Sequence, residues 1–248
     1  MIGARPAGLP HAQRGLALII AMLDAALAAA VTVSLAAAQA QWTAQVANRR
    51  DKIQAQSVAL AGVAWTRQIL DADERTTTID HPGEPWALPL PATPVENGSV
   101  EGRIVDAQSF LNANNLRGGA HVAAERRRFE RLFETQRLQP ALLGVLADQA
   151  TPPLRMQEFA AARAMTPAAL AGLMRYVTAL PADTPLNVNT ASSEVLAASI
   201  GDEAMYTVKS RYFLVDVNAR QGDAIAQAHA LIDRGGNTSS RVVWQTVE

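Results

Sequence analysis

The 248-residue sequence contains no cysteine. It therefore forms no disulfide framework and no thiolate metal site, and it has no cysteine nucleophile. The formal net charge is −1, so the basic excess typical of proteins that bind nucleic acid or anionic lipid is missing. Hydrophobic residues make up 49% of the chain, which excludes global disorder and leaves room for one or two domains with a core.

The common catalytic signatures are also missing. None of the four histidines has metal-ligand spacing to another; they are His11, His81, His121 and His229. The sequence has no Gly-x-Ser-x-Gly elbow, no phosphate-binding glycine loop and no dinucleotide fingerprint. An exported enzyme with a retained membrane anchor would need a catalytic cluster that this sequence does not show. We therefore expect a protein that is not an enzyme.

Two groups of oxygen-bearing side chains are weak candidates for binding a hard cation such as calcium. The first is an acidic segment, formed by Asp71, Asp73 and Glu74. The second is an asparagine-rich segment, with Asp106, Asn112, Asn114 and Asn115. Acidic helix ends are more often simply solvated, and asparagines in turns more often hydrogen-bond their own backbone. Neither group is assigned a metal from the sequence.

A long apolar run, residues 16–38, follows a short polar leader and contains Asp24 as its only charge. At about 1.5 Å of rise per residue, this run reaches roughly 34 Å as a helix, and a bilayer core is about 30 Å thick. Arg5 and Arg14 precede the run, and the next cation is Arg49. The positive-inside tendency then predicts a cytoplasmic leader and an exported chain after about residue 40.

Two points about this run stay open. A secretory signal would have an apolar region of about 7–15 residues, shorter than this one, although residues 36–38 could serve as its cleavage site. The carboxylate of Asp24 would be costly in contact with lipid, so we expect it to face a partner or water. Protonation or snorkelling in a poorly packed helix is an equally good explanation.

The helical pattern continues beyond the membrane to about Leu70, without a proline. One apolar stripe follows this part of the helix: Trp42, Val46, Ile53 and Leu60. The sequence thus predicts one helix of roughly 55 residues, half in the membrane and half amphipathic. We expect the stripe to pack on the protein's own sheet and on partner helices.

The remaining sequence predicts a small antiparallel sheet interrupted by helices. Prolines between 82 and 94 predict an extended loop, and Asn97-Gly98 predicts a turn before a strand at 100–105. Residues 120–180 are helical in pattern, with Thr166 as an N-cap, and Thr190 or Ser192 can cap a further helix. The predicted helices are 122–138, 140–149, 156–164 and 167–176, and a three-strand meander follows at 211–219, 224–232 and 241–247.

One motif offers an alternative function. The segment LNVNTASSEVLAASIG, residues 186–201, resembles the opening of a helix-hairpin-helix DNA-binding module. Ile200-Gly201 matches only half of the usual Gly-Ile-Gly hairpin, and the acidic Asp202 and Glu203 follow where phosphate would approach. DNA binding needs an electropositive surface, which this stretch lacks. A membrane-anchored helix-hairpin-helix DNA-binding protein is the alternative.

The motifs taken together resemble another family, the K-type minor pseudopilins of the type II secretion system. Arg14-Gly15 followed by the apolar run resembles the leader end of type IV prepilins, which prepilin peptidase cuts between the residues equivalent to Gly15 and Leu16. Further segments resemble the K-type family and extend the resemblance over nearly the whole chain: 83–87, 105–116, 180–181 with 187–191, 210–213, and Trp244.

The resemblance implies a pilin-like α+β fold, in which a long N-terminal helix packs on a small antiparallel sheet that carries an inserted helical domain. It also implies N-methylation of Leu16 after cleavage, I-type and J-type minor pseudopilins and prepilin peptidase as partners, and no nucleic acid. The expected location is the inner membrane, with a single span and the C-terminal head in the periplasm. The expected divisions are a leader at 1–15, a transmembrane half-helix at 16–38, a pseudopilin core at 39–119, an inserted helical domain at 120–209 and the last strands at 210–248.

Two residue-level expectations come with the resemblance. Most pilins carry glutamate at the fifth mature position, where it pairs with the terminal amine of a neighbouring subunit, but here that position is Ile20. A buried carboxylate without its partner is costly, so a subunit with no pilin above it gains by losing that carboxylate, which implies a place at the pseudopilus tip. Calcium is implied only through an acidic stretch in the family's helical insertion. Residues 144–153 show no clear match to it, so no ligands are assigned.

Overall fold

The structure is a computed structural model that describes residues 11–118, 121–161, 165–201, 205–235 and 239–248, with the backbone alone at 11–14 and 161. The helices are α1 (His11–Thr76), α2 (Val122–Thr135), α3 (Ala141–Ala147), α4 (Pro167–Leu173) and α5 (Ser193–Ser199). The strands are β1 (Leu90–Val95), β2 (Gly98–Asp106), β3 (Leu111–Asn112), β4 (Val177–Thr178), β5 (Leu186–Asn187), β6 (Tyr206–Thr207), β7 (Tyr212–Gln221), β8 (Ala224–Asp233) and β9 (Arg241–Val247). The chain divides after Asp51 into an N-terminal unit and a second unit, Lys52–Glu248.

The N-terminal unit contains the first part of α1. Every residue from 15 to 50 is exposed, and the apolar part of the helix is long enough to cross a membrane with none of its apolar window buried in the protein. Apolar side chains without protein neighbours are what a lipid-facing helix requires. The predicted long helix is confirmed, and it extends a few residues beyond the expected bounds at both ends.

The second unit is built on a five-stranded antiparallel sheet in the order β1-β2-β7-β8-β9. The predicted strand at 100–105 lies within β2, and the predicted meander is β7, β8 and β9. The residues of β2 pair with those of β7 from Gly98–Gln221 to Asp106–Phe213. Strands that are far apart in sequence are therefore neighbours, and everything between them is inserted at one end of the sheet.

Among the described strands, the edge strand β1 and the two-residue strands β3, β4, β5 and β6 were not predicted. The proline-rich segment, interpreted from sequence as an extended loop, forms β1 at the edge of the sheet and pairs with β2 through an irregular register between Leu90 and Thr93. Prolines are tolerated on edge strands because no further strand needs their missing N–H groups. The predicted turn before β2 is confirmed, since Asn97 adopts a left-handed φ of 61°.

The face of α1 that packs on the sheet differs from the predicted one. Ile53 and Leu60 of the predicted stripe are 64% and 36% exposed, and in the N-terminal unit Trp42 and Val46 are exposed as well. A stripe of mostly small residues is buried instead: Ala55, Ala59, Val63, Thr66 and Leu70. The expectation that the larger apolar stripe packs on the protein's own sheet was wrong. Small residues on this face let the helix approach the strands closely.

The close approach is tightest at Gly62. A Cβ added to this residue would lie 2.7 Å from a methyl carbon of Val217 on β7. Around this contact, the main core of the second unit includes Trp86 and Phe213, whose rings meet edge to face with centroids 5.1 Å apart. The arrangement of the helix on the antiparallel sheet therefore depends on side chains that are absent or small.

The segment between β2 and β7 has a hydrophobic core of its own, with Phe129, Leu132 and Phe159 fully buried. The predicted helices at 122–138, 140–149 and 167–176 appear as α2, α3 and α4, each slightly shorter. The predicted helix at 156–164 is a 3-10 helix over Met156–Ala161, and residues 162–164 lie outside the described residues. Thr166 caps α4 as predicted, accepting a 3.1 Å hydrogen bond from the backbone N–H of Ala169.

The helix-hairpin-helix interpretation fails on topology. Ser192 caps the first helix, α5, and Gly201 follows its end with a φ of 82°. In the described chain after this glycine, residues 205–221 form β6 and β7 and contain no second helix. Asp202 and Glu203, the acidic residues expected where phosphate would approach, lie outside the described residues.

Candidate functional site

The predicted processing site lies in the exposed first part of α1. Gly15 and Leu16 are exposed, and a Cβ at Gly15 would meet no other atom within 4 Å. The peptide bond between them is therefore not covered by any other described part of the chain. Cleavage by prepilin peptidase and N-methylation of Leu16 stay predictions.

Ile20 and Asp24 are the two other positions singled out in the apolar helix. Both are exposed, and they lie four residues apart, so they share one face of α1. In the described part of the chain, no hydrogen bond or ion pair joins Asp24 to another residue. A partner for Asp24 would therefore have to come from outside the described residues. The roles of Ile20 and Asp24 stay predictions.

A buried carboxylate in the second unit brings three of the quoted motifs together. Asp106, at the end of β2, is 2% exposed. Its Oδ1 accepts a hydrogen bond from the Gln108 N–H at 2.8 Å. Its Oδ2 accepts from Asn187 Nδ2 at 3.0 Å, from Ser210 Oγ at 2.6 Å and from the hydroxyl of Thr190. Thr190 therefore does not cap α5 but binds Asp106. The motifs at 105–116, 187–191 and 210–213 thus meet at a single side chain.

The asparagine-rich motif fastens the inserted segment through backbone groups. Asn114 Nδ2 donates to the carbonyl oxygens of Pro153 and Leu180, both at 2.7 Å. Asn112 donates to the carbonyl of Pro181 and accepts from the N–H of Leu180. These side chains act as hydrogen-bonding anchors, so the candidate cation site at Asp106 and the asparagines is not formed. Asn112 also accepts from the N–H of Asn114, which is the turn geometry that the sequence suggested.

The acidic segment at the end of α1 is split between two environments. Asp71 accepts hydrogen bonds from the N–H and hydroxyl of Ser240. Asp73 and Glu74 instead pair with Arg234, which is 1% exposed and also binds Asp80 through two 2.6–2.8 Å hydrogen bonds. The weak candidate group of Asp71, Asp73 and Glu74 is therefore not brought together as one set of ligands. Asp73 groups with residues that lie further along the chain.

That grouping consists of Asp73, Asp80 and Glu84, which are all buried. Sequence reasoning missed Asp80 and Glu84, although Glu84 lies in the segment 83–87 that carries part of the family resemblance. Burial raises the pKa of Asp73 to about 6, with the charge of Glu84 adding to the rise and Arg234 opposing it. Burial likewise raises the pKa of Asp106, against the hydrogen bonds from Ser210, Thr190 and Gln108.

Comparison with known proteins gives two similarities and one negative result. No protein-family model matches the chain. The chain is 29% identical over 225 residues to the type II secretion system protein K of Pseudomonas aeruginosa, with 75% of this chain and 68% of that protein covered. Its fold matches a chain in the crystal structure of the GspK-GspI-GspJ complex from the enterotoxigenic Escherichia coli type 2 secretion system. The TM-score is 0.70 at 16% identity, over 82% of this chain and 99% of the other.

Proposed function

We propose that this chain is the minor pseudopilin at the tip of a type II secretion pseudopilus, because it is similar in sequence to type II secretion system protein K and in fold to a chain of the GspK-GspI-GspJ complex. In this role it is a structural protein that helps to initiate or cap the fibre driving export across the outer membrane. The homology over most of the chain is the observation that carries the proposal.

The first half of α1 would hold the protein in the inner membrane before assembly. Its apolar residues are exposed, and its length matches a bilayer. Arginines in the leader favour a cytoplasmic N-terminus, so residues after about 40 and the whole second unit would lie in the periplasm. Prepilin peptidase would remove residues 1–15, and Leu16 would then become the methylated N-terminus.

The position at the tip is supported by Ile20. A pilin inside the fibre carries glutamate at this position, which pairs with the terminal amine of a neighbour. The isoleucine removes a carboxylate that would have no partner at the top of the fibre, where its burial in lipid or protein would be costly. The segment inserted between β2 and β7 would make the head bulky and hinder addition of another subunit above it.

The I-type and J-type minor pseudopilins are the proposed partners. The solved complex that shares this fold contains GspK, GspI and GspJ, and the present chain has apolar surface on α1 to offer. Ile53, 64% exposed, and Leu60, 36% exposed, face away from the sheet, and Trp42 and Val46 are exposed in the N-terminal unit. The sequence predicted that this apolar stripe packs on the protein's own sheet and on partner helices. The prediction of partner helices is the part that we retain.

Processing is tested by incubating the full chain with prepilin peptidase and determining the new N-terminus by mass spectrometry. We expect one product beginning at Leu16, and no product from Gly15→Leu. Gly3→Leu, elsewhere in the leader, is the matched control and should be cut normally. A chain that stays uncut, or is cut anywhere else, would contradict the assignment.

Partner binding is tested by co-purification of the full chain with I-type and J-type pseudopilins from detergent extracts. We expect a three-protein complex that Ile53→Glu weakens by about tenfold, since a charge is introduced on the exposed face of α1. Ile225→Glu, at a 52% exposed position on β8, is the matched control and should bind normally. Binding to neither pseudopilin would point to a different pilin-like system.

A further inference from the structure

A row of three polar side chains crosses the face of the sheet opposite α1. Arg103 on β2 lies opposite Asp216 on β7, and Asp216 lies opposite His229 on β8. The Asp216 carboxylate accepts from Arg103 Nε at 2.8 Å through Oδ2 and from His229 Nδ1 at 2.7 Å through Oδ1. Both carboxylate oxygens are therefore used, and Asp216 fixes the orientation of the two basic side chains beside it.

The row leaves nitrogen atoms that are available to a ligand. Among the described residues, the terminal nitrogens of Arg103 and Nε2 of His229 make no hydrogen bond. The Arg103 side chain is 65% exposed and that of His229 is 42% exposed, so a ligand has access to both. The terminal nitrogens of an arginine form a planar fork of donors that matches the two oxygens of a carboxylate.

The same row forms one wall of a cavity between the sheet and the inserted segment. The cavity has a volume of about 310 Å³, which lies within the range of small-ligand sites. The indole of Trp244 donates to the carbonyl oxygen of Leu154 at 2.8 Å and thereby joins β9 to the insertion at this cavity. Most of the remaining wall is apolar and includes Phe110, Leu154, Met156, Leu214 and Trp244.

The charged residues of the cavity wall have a positive excess. Among the described lining residues, Arg103 and Arg155 supply two guanidinium groups and Asp216 supplies one carboxylate. The wall therefore has a net charge of +1 with His229 neutral and +2 with it protonated. Glu158 pairs with Arg155 at 3.1 Å from outside the lining. An apolar cavity with a positive wall and free donors is complementary to an anionic group on an apolar body.

A second depression continues from the row, on the side away from the insertion. Its volume is about 380 Å³, and it shares all three side chains of the row with the cavity. Its lining also includes the side-chain amides of Asn218 and Gln227. These amides both donate and accept hydrogen bonds, as a peptide backbone does. A ligand that crosses the row therefore meets an apolar cavity on one side and partners for a peptide backbone on the other.

We propose that this surface binds the free C-terminus of a polypeptide that ends in an apolar residue. The last side chain enters the cavity, the terminal carboxylate binds the fork of Arg103, and the preceding residues lie over Asn218 and Gln227. Capture of a terminal carboxylate by oriented donors is a recurring mode of peptide recognition. The proposal goes beyond the role at the tip and does not depend on it, since it rests on these side chains alone.

Fluorescence polarisation provides a direct test, with the peptide Gly-Ser-Gly-Ser-Ala-Leu labelled at its N-terminus. We expect saturable binding to the full chain in a neutral detergent, with empty micelles as the blank. The C-terminal amide of the same peptide should bind at least about tenfold more weakly, because it loses the charge-assisted hydrogen bonds. A peptide that ends in glycine should also bind more weakly, because the cavity stays unfilled. A free-acid peptide that does not bind, or an amide that binds equally well, overturns the proposal.

Variants locate the site. Arg103→Gln removes the fork and should weaken binding of the free-acid peptide at least about tenfold. Arg220→Gln is the matched control, because Arg220 is exposed on β7 four residues from Asp216 and therefore on the same face of the sheet. This control should bind as the wild type does. Equal binding by Arg103→Gln and the wild type overturns the site.

Octanoate distinguishes a polypeptide end from a small carboxylic acid. It has an apolar body and a carboxylate but no groups for the second depression, so it should displace the peptide only when in large excess. Octanoate that displaces the peptide at an equal concentration overturns the polypeptide assignment and shows that the cavity holds free acids.

Discussion

Replacing Asp106 by asparagine tests whether the meeting of the three motifs at one carboxylate stabilises the fold. The change keeps the size of the side chain and removes one oxygen acceptor and the charge. If the amide oxygen takes the place of Oδ2, the bonds from Asn187, Thr190 and Ser210 persist as neutral hydrogen bonds. The amide nitrogen then faces the Gln108 N–H, and that buried donor is left without an acceptor.

The magnitude follows from these four contacts. Hydrogen bonds to a charged acceptor are about twice as strong as neutral ones, so weakening three of them removes roughly 2–3 kcal/mol. The unpaired N–H adds about 1–3 kcal/mol of destabilisation. Burial raises the pKa of Asp106, so a neutral group recovers part of the cost of desolvating the carboxylate. We expect a net loss of about 2–4 kcal/mol in the free energy of unfolding.

The assay is urea unfolding of the full chain in detergent, followed by tryptophan fluorescence, to which the buried Trp86 contributes. Asp216→Asn is the matched control, because the Asp216 carboxylate likewise contacts polar side chains, those of Arg103 and His229, but is 31% exposed. Partly exposed ion pairs contribute little, so the control should lose no more than about 1 kcal/mol. A loss in Asp106→Asn as small as that of the control would refute the reasoning.

Three further predictions concern the helix, the sheet and the tip. Gly62→Val should destabilise the second unit by about 1–3 kcal/mol, because the new side chain would overlap Val217. Ala61→Val, at an exposed position, is the control and should not destabilise it. Equal urea midpoints for the two variants would contradict the prediction. Burial would raise the pKa of Asp233, but hydrogen bonds from two arginines outweigh burial and lower the pKa. The stability that this carboxylate contributes is therefore present above its unfolded pKa and is lost as the pH falls through its folded pKa. In urea titrations, Asp233→Asn should therefore lose less free energy of unfolding at pH ~3 than at pH ~7. Ile20→Glu should reduce secretion while Ile20→Leu preserves it, and equal secretion by both would contradict the tip role.

The sequence predicted the elements with a strong repeating pattern. The apolar run and its continuation predicted α1, and alternation with turns predicted β7, β8 and β9, because periodicity reports burial directly. The edge strand β1 was missed because its prolines indicated a loop, although prolines are tolerated in a strand at the edge of a sheet. The packing face of α1 was assigned to large residues, but alanines and Gly62 face the sheet. In an alanine-rich helix, small residues give no contrast from which to choose a face.

The buried networks could be predicted only in part. The motifs around Asp106, Asn187 and Ser210 were recognised as a set by resemblance, but their convergence on one carboxylate depends on pairing between distant strands. Glu84 and Asp80 gave no signal of burial, since acidic residues beside glycine and proline usually lie in solvated turns. Their grouping with Asp73 is a product of tertiary structure, which sequence spacing does not encode.

The pairing of β2 with β7 also has a consequence for how the chain folds. Asp106 and Phe213 lie opposite each other at the point where the inserted segment leaves and rejoins the sheet. Bringing these two ends together from an unfolded chain has a large entropic cost of loop closure, and this cost slows the pairing of β2 with β7. If the insertion, with its own core, folds first, it presents both ends side by side and removes most of that cost. The inserted segment would then also act as the nucleus on which the five-stranded sheet closes.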